Sequence, residues 1–232
     1  MVVVEQLLSE SDVAIYLENL AKASWDNGTQ TAMGMAASVK NNHQANPEDD
    51  IVRQLANDVL ARIGSTAKFV SSALPHKIFP PCFNRYTESE HYGFHVDAAI
   101  MRMPSINGIS NNEVLRSDVS MTLFLSNPDE YEGGELIIKT EFGEQTVKLP
   151  AGYAVMYPSS SLHRVTPVTK GTRIAAITWL QSMVSDVTTR QSLYNLDQTI
   201  QALIAEGNTS REHLDNLHHV YHNLVRQHAQ VG

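Results

Sequence analysis

The stretch YGFHVDAAI, residues 92–100, sets two side chains able to bind a metal, His95 and Asp97, one residue apart in what reads as a β-strand. Alternate residues of a strand share a face, so the two can converge on one ion. His163 lies 66 positions after Asp97, in PSSSLHRVTPV, where a turn hands over to the next strand. Two imidazoles and one carboxylate form the facial triad that suits non-haem Fe(II), with three coordination positions left for a cosubstrate and oxygen. Arg173 follows His163 by ten residues, and its planar fork can grip a carboxylate through two parallel hydrogen bonds. An HxD pair alone is weak, because the wet face of any sheet can carry one. The later histidine and arginine, together with the glycines of YEGGELII that fit a tight connection between two strands, give it weight.

Such groups need a scaffold, and the hydrophobic pattern supplies one. From about residue 77 the chain breaks into short strands separated by Pro, Gly and Asn: KIFPPCFNRYT, HYGFHVDA, DVSMTLFLSN, GGELIIKT, EQTVKLP, GYAVMYP, HRVTPV and TRIAAITWLQS. Eight closely spaced strands indicate a double-sheet jelly roll or a barrel, whose mouth can gather residues from distant strands. The opening third is helical instead. In SESDVAIYLENLAKAS, Val13, Tyr16, Leu17, Leu20 and Ala21 recur at helical spacing, and Ser9 with Asp12 forms a capping pair. In NPEDDIVRQLANDVLARI, Asn46 is the expected cap and Pro47 the first helical residue, with Ile51, Leu55, Val59 and Ile63 on the buried face. The segment between, GTQTAMGMAASVKNNHQAN, is small and polar, as expected of a loop or irregular strand near a functional surface. After Ser185 helical spacing returns in VTTRQSLYNLDQTIQALIAEG and TSREHLDNLHHVYHNLVRQH, a helical hairpin broken at Gly207-Asn208.

The chain of 232 residues, 42% hydrophobic, is long enough for a substantial core. A formal charge of -8 counts against a broad phosphate-binding surface. Cys82 is the only cysteine, which excludes thiolate clusters and an intrachain disulfide and agrees with a reducing compartment. The first residues, MVVVEQLLSE, lack a basic segment and meet Glu5 before a signal-like apolar core forms, so a cytoplasmic location is expected.

The combination of HxD, a later His and an Arg ten residues beyond it, set in YGFHVD, TLFLSNPDEYEGGEL, LPAGYAVMYPSSSLHRVTPVTKGTR and ITWLQS, resembles the Fe(II)/2-oxoglutarate-dependent dioxygenases. More narrowly it resembles the PKHD-type hydroxylases, relatives of the prolyl and lysyl hydroxylase domains, and FNRY, NNHQ and the closing helices extend the likeness over most of the chain. The resemblance implies an α+β fold with a double-stranded β-helix (jelly roll) core over 77–182. N-terminal helices over 1–76 would support it, and a C-terminal helical hairpin would occupy 183–232. It implies that His95, Asp97 and His163 bind Fe(II) and that Arg173 receives the distal carboxylate of 2-oxoglutarate, assisted by the hydroxyl of Tyr86. Hydroxylation of a small-molecule or protein side-chain substrate, with release of succinate and CO2, would follow, with L-ascorbate as an accessory reductant. Neither nucleic acid nor membrane is an expected partner; a homo-oligomer is compatible with the sequence.

Two other classes share parts of this pattern. A cupin-like metal-binding or sensor module would keep the ligands without turnover, but has no need of Arg173. A nucleic-acid demethylase would use the same iron chemistry, against the acidic charge balance. Trp179 is in phase with Arg173 and either walls the pocket or fills the core. Lys40, Asn41, Asn42 and Gln44 could reach a substrate or merely satisfy a loop. The histidines of the last helix, His213, His218, His219, His222 and His228, read as surface or interface residues, and Cys82 as a small buried hydrophobe.

Overall fold

A computed structural model describes residues 1–31, 34–104 and 112–231. Two antiparallel sheets face each other. The larger runs β1 (Val2–Val4), β14 (Ala154–Pro158), β10 (Val119–Phe124), β17 (Arg173–Ser182), β6 (Cys82–Tyr86), β4 (His43–Ala45) and β2 (Trp25–Asn27). The ten-residue β17 is long enough to pair along one edge with β6 and then with β5 (Pro75–Ile78). The smaller sheet runs β13 (Gly143–Val147), β12 (Leu136–Thr140), β15 (His163–Val165), β7 (His91–His95) and β3 (Lys40–Asn41).

From β6 onward the chain crosses repeatedly between the sheets, leaving β14-β10-β17-β6 opposite β13-β12-β15-β7. This is the double-stranded β-helix, and those eight strands correspond to the eight short runs that Pro, Gly and Asn mark off in the sequence. Two small ribbons complete it: β8 (Ile100–Arg102) with β9 (Val114–Arg116), and β11 (Tyr131–Gly133) with β16 (Val168–Gly171).

Helices cover the outer face of the larger sheet. Helix α1 (Glu10–Leu20) starts at the predicted capping box, with Ser9 Oγ accepting from the Asp12 amide and Asp12 accepting from the Ser9 amide. Helix α2 (Asp50–Ser65) begins later than predicted: Asp49 caps it, while Asn46 Oδ1 accepts from the Glu48 amide in a turn that precedes it. Two residues preceding the helix thus spend the Asn-Pro signal on a turn. Leu55, Val59 and Ile63 are buried as expected, Ile51 only partly.

A short α3 (Ala67–Ala73), unforeseen, buries Phe69. Phe83, Met121, Leu123, Ala176 and Leu180 project from the larger sheet into this helical layer. Each fully buried large side chain contributes about 1.5–3 kcal/mol of transfer free energy. Arg62 joins α2 to α1 through Asp12, at 2.8 and 2.9 Å, and holds Asp58 at 2.7 Å. Helices α4 (Val187–Glu206) and α5 (Arg211–His228) form the hairpin, with Gly207 in the left-handed conformation closing α4. Among the described residues no helix is long and apolar enough to cross a membrane.

The segment between α1 and α2 forms two 3-10 turns and the short strands β3 and β4, with residues 32 and 33 outside the described residues. KIFPPCFNRYT is two strands rather than one, because Pro80 and Pro81 lack the N–H that ladder pairing needs.

The EGGE connection is where glycine is required. Gly133 has φ +72°, and a Cβ there would lie 2.0 Å from the Pro167 carbonyl oxygen. We expect Gly133→Ala to cost about 3 kcal/mol or more, since left-handed strain adds to a clash with rigid backbone. A lowered urea midpoint with an unchanged m-value would report it. At Gly134 a Cβ would meet the Arg173 side chain at 3.1 Å, so this turn also shapes the wall around that arginine.

Candidate metal centre

Strands β7 and β15 are neighbours in the smaller sheet, and their register sets His163 directly opposite His95. Asp97 does not lie on β7: the strand ends at His95, and Asp97 sits in the following coil. The expected alternation along one strand therefore fails. Coil geometry after His95 still brings the carboxylate to the two imidazoles, with Oδ1 3.9 Å from His95 Nε2 and Oδ2 3.8 Å from His163 Nε2. One ligand atom from each residue lies within 4.8 Å of the other two. Among the described residues this is the one group of three or more such side chains.

Each imidazole is oriented in the same way. His95 Nδ1 lies 2.9 Å from the Gly93 carbonyl, and His163 Nδ1 lies 2.9 Å from the Ser161 carbonyl. A carbonyl only accepts, so both Nδ1 atoms donate, and both Nε2 atoms face the gap. Tyr92 stacks on His95 at 3.5 Å and Tyr157 meets His163 edge-on at 5.2 Å, which locks the rings further. Burial, and then the neighbouring His163, hold His95 below the usual histidine range. It is therefore neutral near pH 7, the state in which imidazole binds a metal. Two imidazoles and one carboxylate, largely shielded from water, match the donor set of a non-haem Fe(II) centre.

The second half of the site is a buried cation. Arg173 opens β17 directly across from Tyr86 of β6, and both are buried. Its guanidinium carbon is 5.3 Å from the ring centres of Tyr86 and of Phe124. Among the described residues no carboxylate pairs with it, and its Nε has no hydrogen-bond partner, although the side chain is only 2% exposed. Burial of a guanidinium without a carboxylate beside it carries a desolvation cost that a bound anion would offset. Tyr86 has its pKa raised by burial, with Arg173 and Asn42 pulling the other way, so it stays a neutral phenol able to donate. Along β10, Ser120 stands at the histidine end and Phe124 at the arginine end. Four residue steps along the strand separate them, roughly 13 Å at about 3.3 Å each.

Other expectations fare unevenly. Trp179 is half-buried on the same side of β17 as Arg173 and meets Phe79 edge-on at 5.6 Å. Lys40 is buried, its ammonium 5.4 Å from the Tyr92 ring centre, and burial lowers its pKa to about 8. Asn42 is buried and donates to Asn84 Oδ1 at 3.3 Å, while Asn41 is exposed. Burial pushes the Cys82 thiol up to about 11, which suits an unreactive side chain. On α5, His218 and His222 stack at 6.2 Å, with no third ligand beside them among the described residues.

Comparison with known proteins places these features in a family. Residues 81–181 match the 2OG-Fe(II) oxygenase superfamily, and residues 188–230 match the PKHD-type hydroxylase C-terminal domain. A PKHD-type hydroxylase of Shewanella frigidimarina is 67% identical over 231 residues, covering 100% of both chains. The chain belongs to the PKHD-type hydroxylases. A second member, from Alteromonas mediterranea, is 58% identical, again over 100% of each chain. A prolyl-4-hydroxylase of Pseudomonas putida is 18% identical and shares the fold with a TM-score of 0.52, over 78% of this chain and 91% of that one.

Membership makes the protein a 2-oxoglutarate-dependent dioxygenase that uses Fe(II). The hairpin of α4 and α5, remote in sequence from the ligands, is thus a family feature. The sequence reading missed Ser120, which touches Asp97 from β10, and Ser159, which touches Ser120 from the turn after β14. The signal was present in VSMTLF, where Ser120 and Thr122 alternate with Val119, Met121 and Leu123: small polar residues face inward from a buried strand.

Proposed function

We propose that this PKHD-type hydroxylase binds Fe(II) through His95 Nε2, Asp97 and His163 Nε2, and binds the distal carboxylate of 2-oxoglutarate through Arg173 assisted by Tyr86. The observation that carries the reading is the buried arginine of the larger sheet, without a carboxylate partner among the described residues, in a fold whose smaller sheet carries the two histidines of the convergent triad. A module that only held metal would have no use for it. When bound, the iron and the 2-oxo acid supply the oxidising chemistry that couples substrate hydroxylation to release of succinate and CO2.

The chain's own residues do the rest. The Gly93 and Ser161 carbonyls fix the imidazole tautomers; Tyr92, Tyr157 and Phe124 line the space with aromatic surface that excludes water. No protein nucleophile or general base is required. The substrate is a small molecule or a protein side chain. L-ascorbate serves as an accessory reductant, and the single cysteine supports a cytoplasmic location.

Anaerobic titration with Fe(II), in the presence and absence of 2-oxoglutarate, followed by addition of oxygen, tests the assignment. Binding of one iron, tighter cosubstrate binding once iron is present and succinate formation on oxygenation are expected. Iron binding that is indifferent to 2-oxoglutarate would remove the proposed cosubstrate role of Arg173.

A further inference from the structure

Asp97 is the ligand that no β-ladder holds. The coil around it is fastened to the start of β10 by other means: Ser117 Oγ donates to the Ala98 carbonyl at 2.6 Å, and the Ser117 amide donates to the Ala99 carbonyl at 2.9 Å. The carboxylate itself is met by Ser120, whose Oγ lies 2.6 Å from Asp97 Oδ2 and 2.7 Å from Ser159 Oγ. Both serines are 2% exposed. An ionised carboxylate only accepts, and one hydroxyl has one proton to give. Ser120 therefore donates to Asp97, and Ser159 must donate to Ser120. Ser159 is placed in turn by its amide, which donates to the Asp118 carbonyl at 3.2 Å. The result is a relay of two hydrogen bonds, one between the turn after β14 and β10 and one from β10 to a single oxygen of the ligand.

Resting on the triad assignment, we propose that Ser120, oriented by Ser159, is a positioning residue that occupies Asp97 Oδ2 and leaves Oδ1 to the metal. A carboxylate that binds through one oxygen takes one coordination position. Both histidines then take one each, and three remain for a chelating 2-oxo acid and oxygen. If Asp97 engaged through both oxygens, one of those three would be lost. Partners outside the ligand set hold ligating carboxylates in this way, and their removal typically lowers metal affinity about tenfold to a hundredfold.

The full-length protein, titrated anaerobically with Co(II) and followed by calorimetry and visible absorption, tests the role without turnover. Ser120→Ala should weaken Co(II) binding about tenfold or more and alter the absorption bands, which report coordination number. Ser120→Thr, which keeps the hydroxyl, should restore both to near wild type. Unchanged affinity and spectrum in Ser120→Ala would overturn the proposal, as would a loss that Ser120→Thr fails to restore. Should Ser120→Ala not fold, Ser159→Ala decides: a few-fold loss of affinity with a shifted spectrum supports the pair, and wild-type behaviour overturns it. Asp97→Ala separates this from the underlying reading. Lost Co(II) binding in Asp97→Ala with wild-type binding in Ser120→Ala removes only the positioning role, whereas wild-type binding in Asp97→Ala removes the triad itself.

Discussion

Replacing His163 by alanine is expected to weaken Fe(II) binding by more than about a hundredfold, beyond the upper end of what outer partners contribute, and to abolish succinate formation. The reasoning begins with geometry. His163 faces His95 across two paired strands, and with its ring removed only His95 and Asp97 remain to bind the ion. The fold should survive, because the backbone pairing of β15 with β12 and β7 does not depend on the imidazole. What is lost besides the ligand is ring packing against His95 at 4.2 Å and Tyr157 at 5.2 Å. That is a destabilisation of about 1–2 kcal/mol, within the ordinary range for a single substitution. Anaerobic iron titration beside thermal unfolding of the metal-free protein distinguishes the two effects. Metal affinity equal to wild type would refute the assignment of His163.

How much of this site can be read from the chain depends on which interactions fix each residue. The eight core strands are legible because short apolar runs, some buried on both faces, are punctuated by Pro, Gly and Asn at their connections. Arg173 is legible from its spacing after His163, and Tyr86 only through the family resemblance; their pairing across β17 and β6 is a tertiary fact. Asp97 is legible as a candidate ligand but not as a conformation. Its proximity to His95 in sequence suggests strand alternation, whereas its position is set by hydrogen bonds to Ser117 and Ser120, some twenty residues away. The start of α2 is missed because Asn-Pro can open a helix or a turn equally well, and the side chain of Asp49 decides between them through its bond to the Ile51 amide. Helix α3 is too short to show periodicity, and exists because Phe69 and Ala73 close the core beneath it. Tertiary contacts, absent from any local pattern, account for each of these misses.

Arg173→Met should separate cosubstrate binding from stability in opposite directions. The wild-type guanidinium is buried between Tyr86 and Phe124 with no carboxylate among the described residues to offset its desolvation. Replacing such a charge by an apolar side chain of similar volume is commonly neutral or stabilising by about 1–4 kcal/mol, so the protein without 2-oxoglutarate should unfold at the same temperature or higher. The cosubstrate, by contrast, loses its partner for the distal carboxylate. Truncating one member of a buried charge pair costs about 2–5 kcal/mol, or roughly thirtyfold to several-thousandfold in affinity. Wild type gains about 2.7 kcal/mol at a ligand concentration one hundred times Kd, a gain that should vanish in Arg173→Met. Arg173→Lys keeps the charge without the planar fork and should fall between. Tyr86→Phe removes one neutral donor and should cost about 1.5–3 kcal/mol of cosubstrate affinity, the range for a hydrogen bond to a charged group. Thermal shifts with and without 2-oxoglutarate, recorded for all four proteins in the presence of a redox-inert divalent metal, test the series. An arginine with a purely structural task would show the reverse in Arg173→Met: a lower unfolding temperature without ligand and an undiminished shift with it.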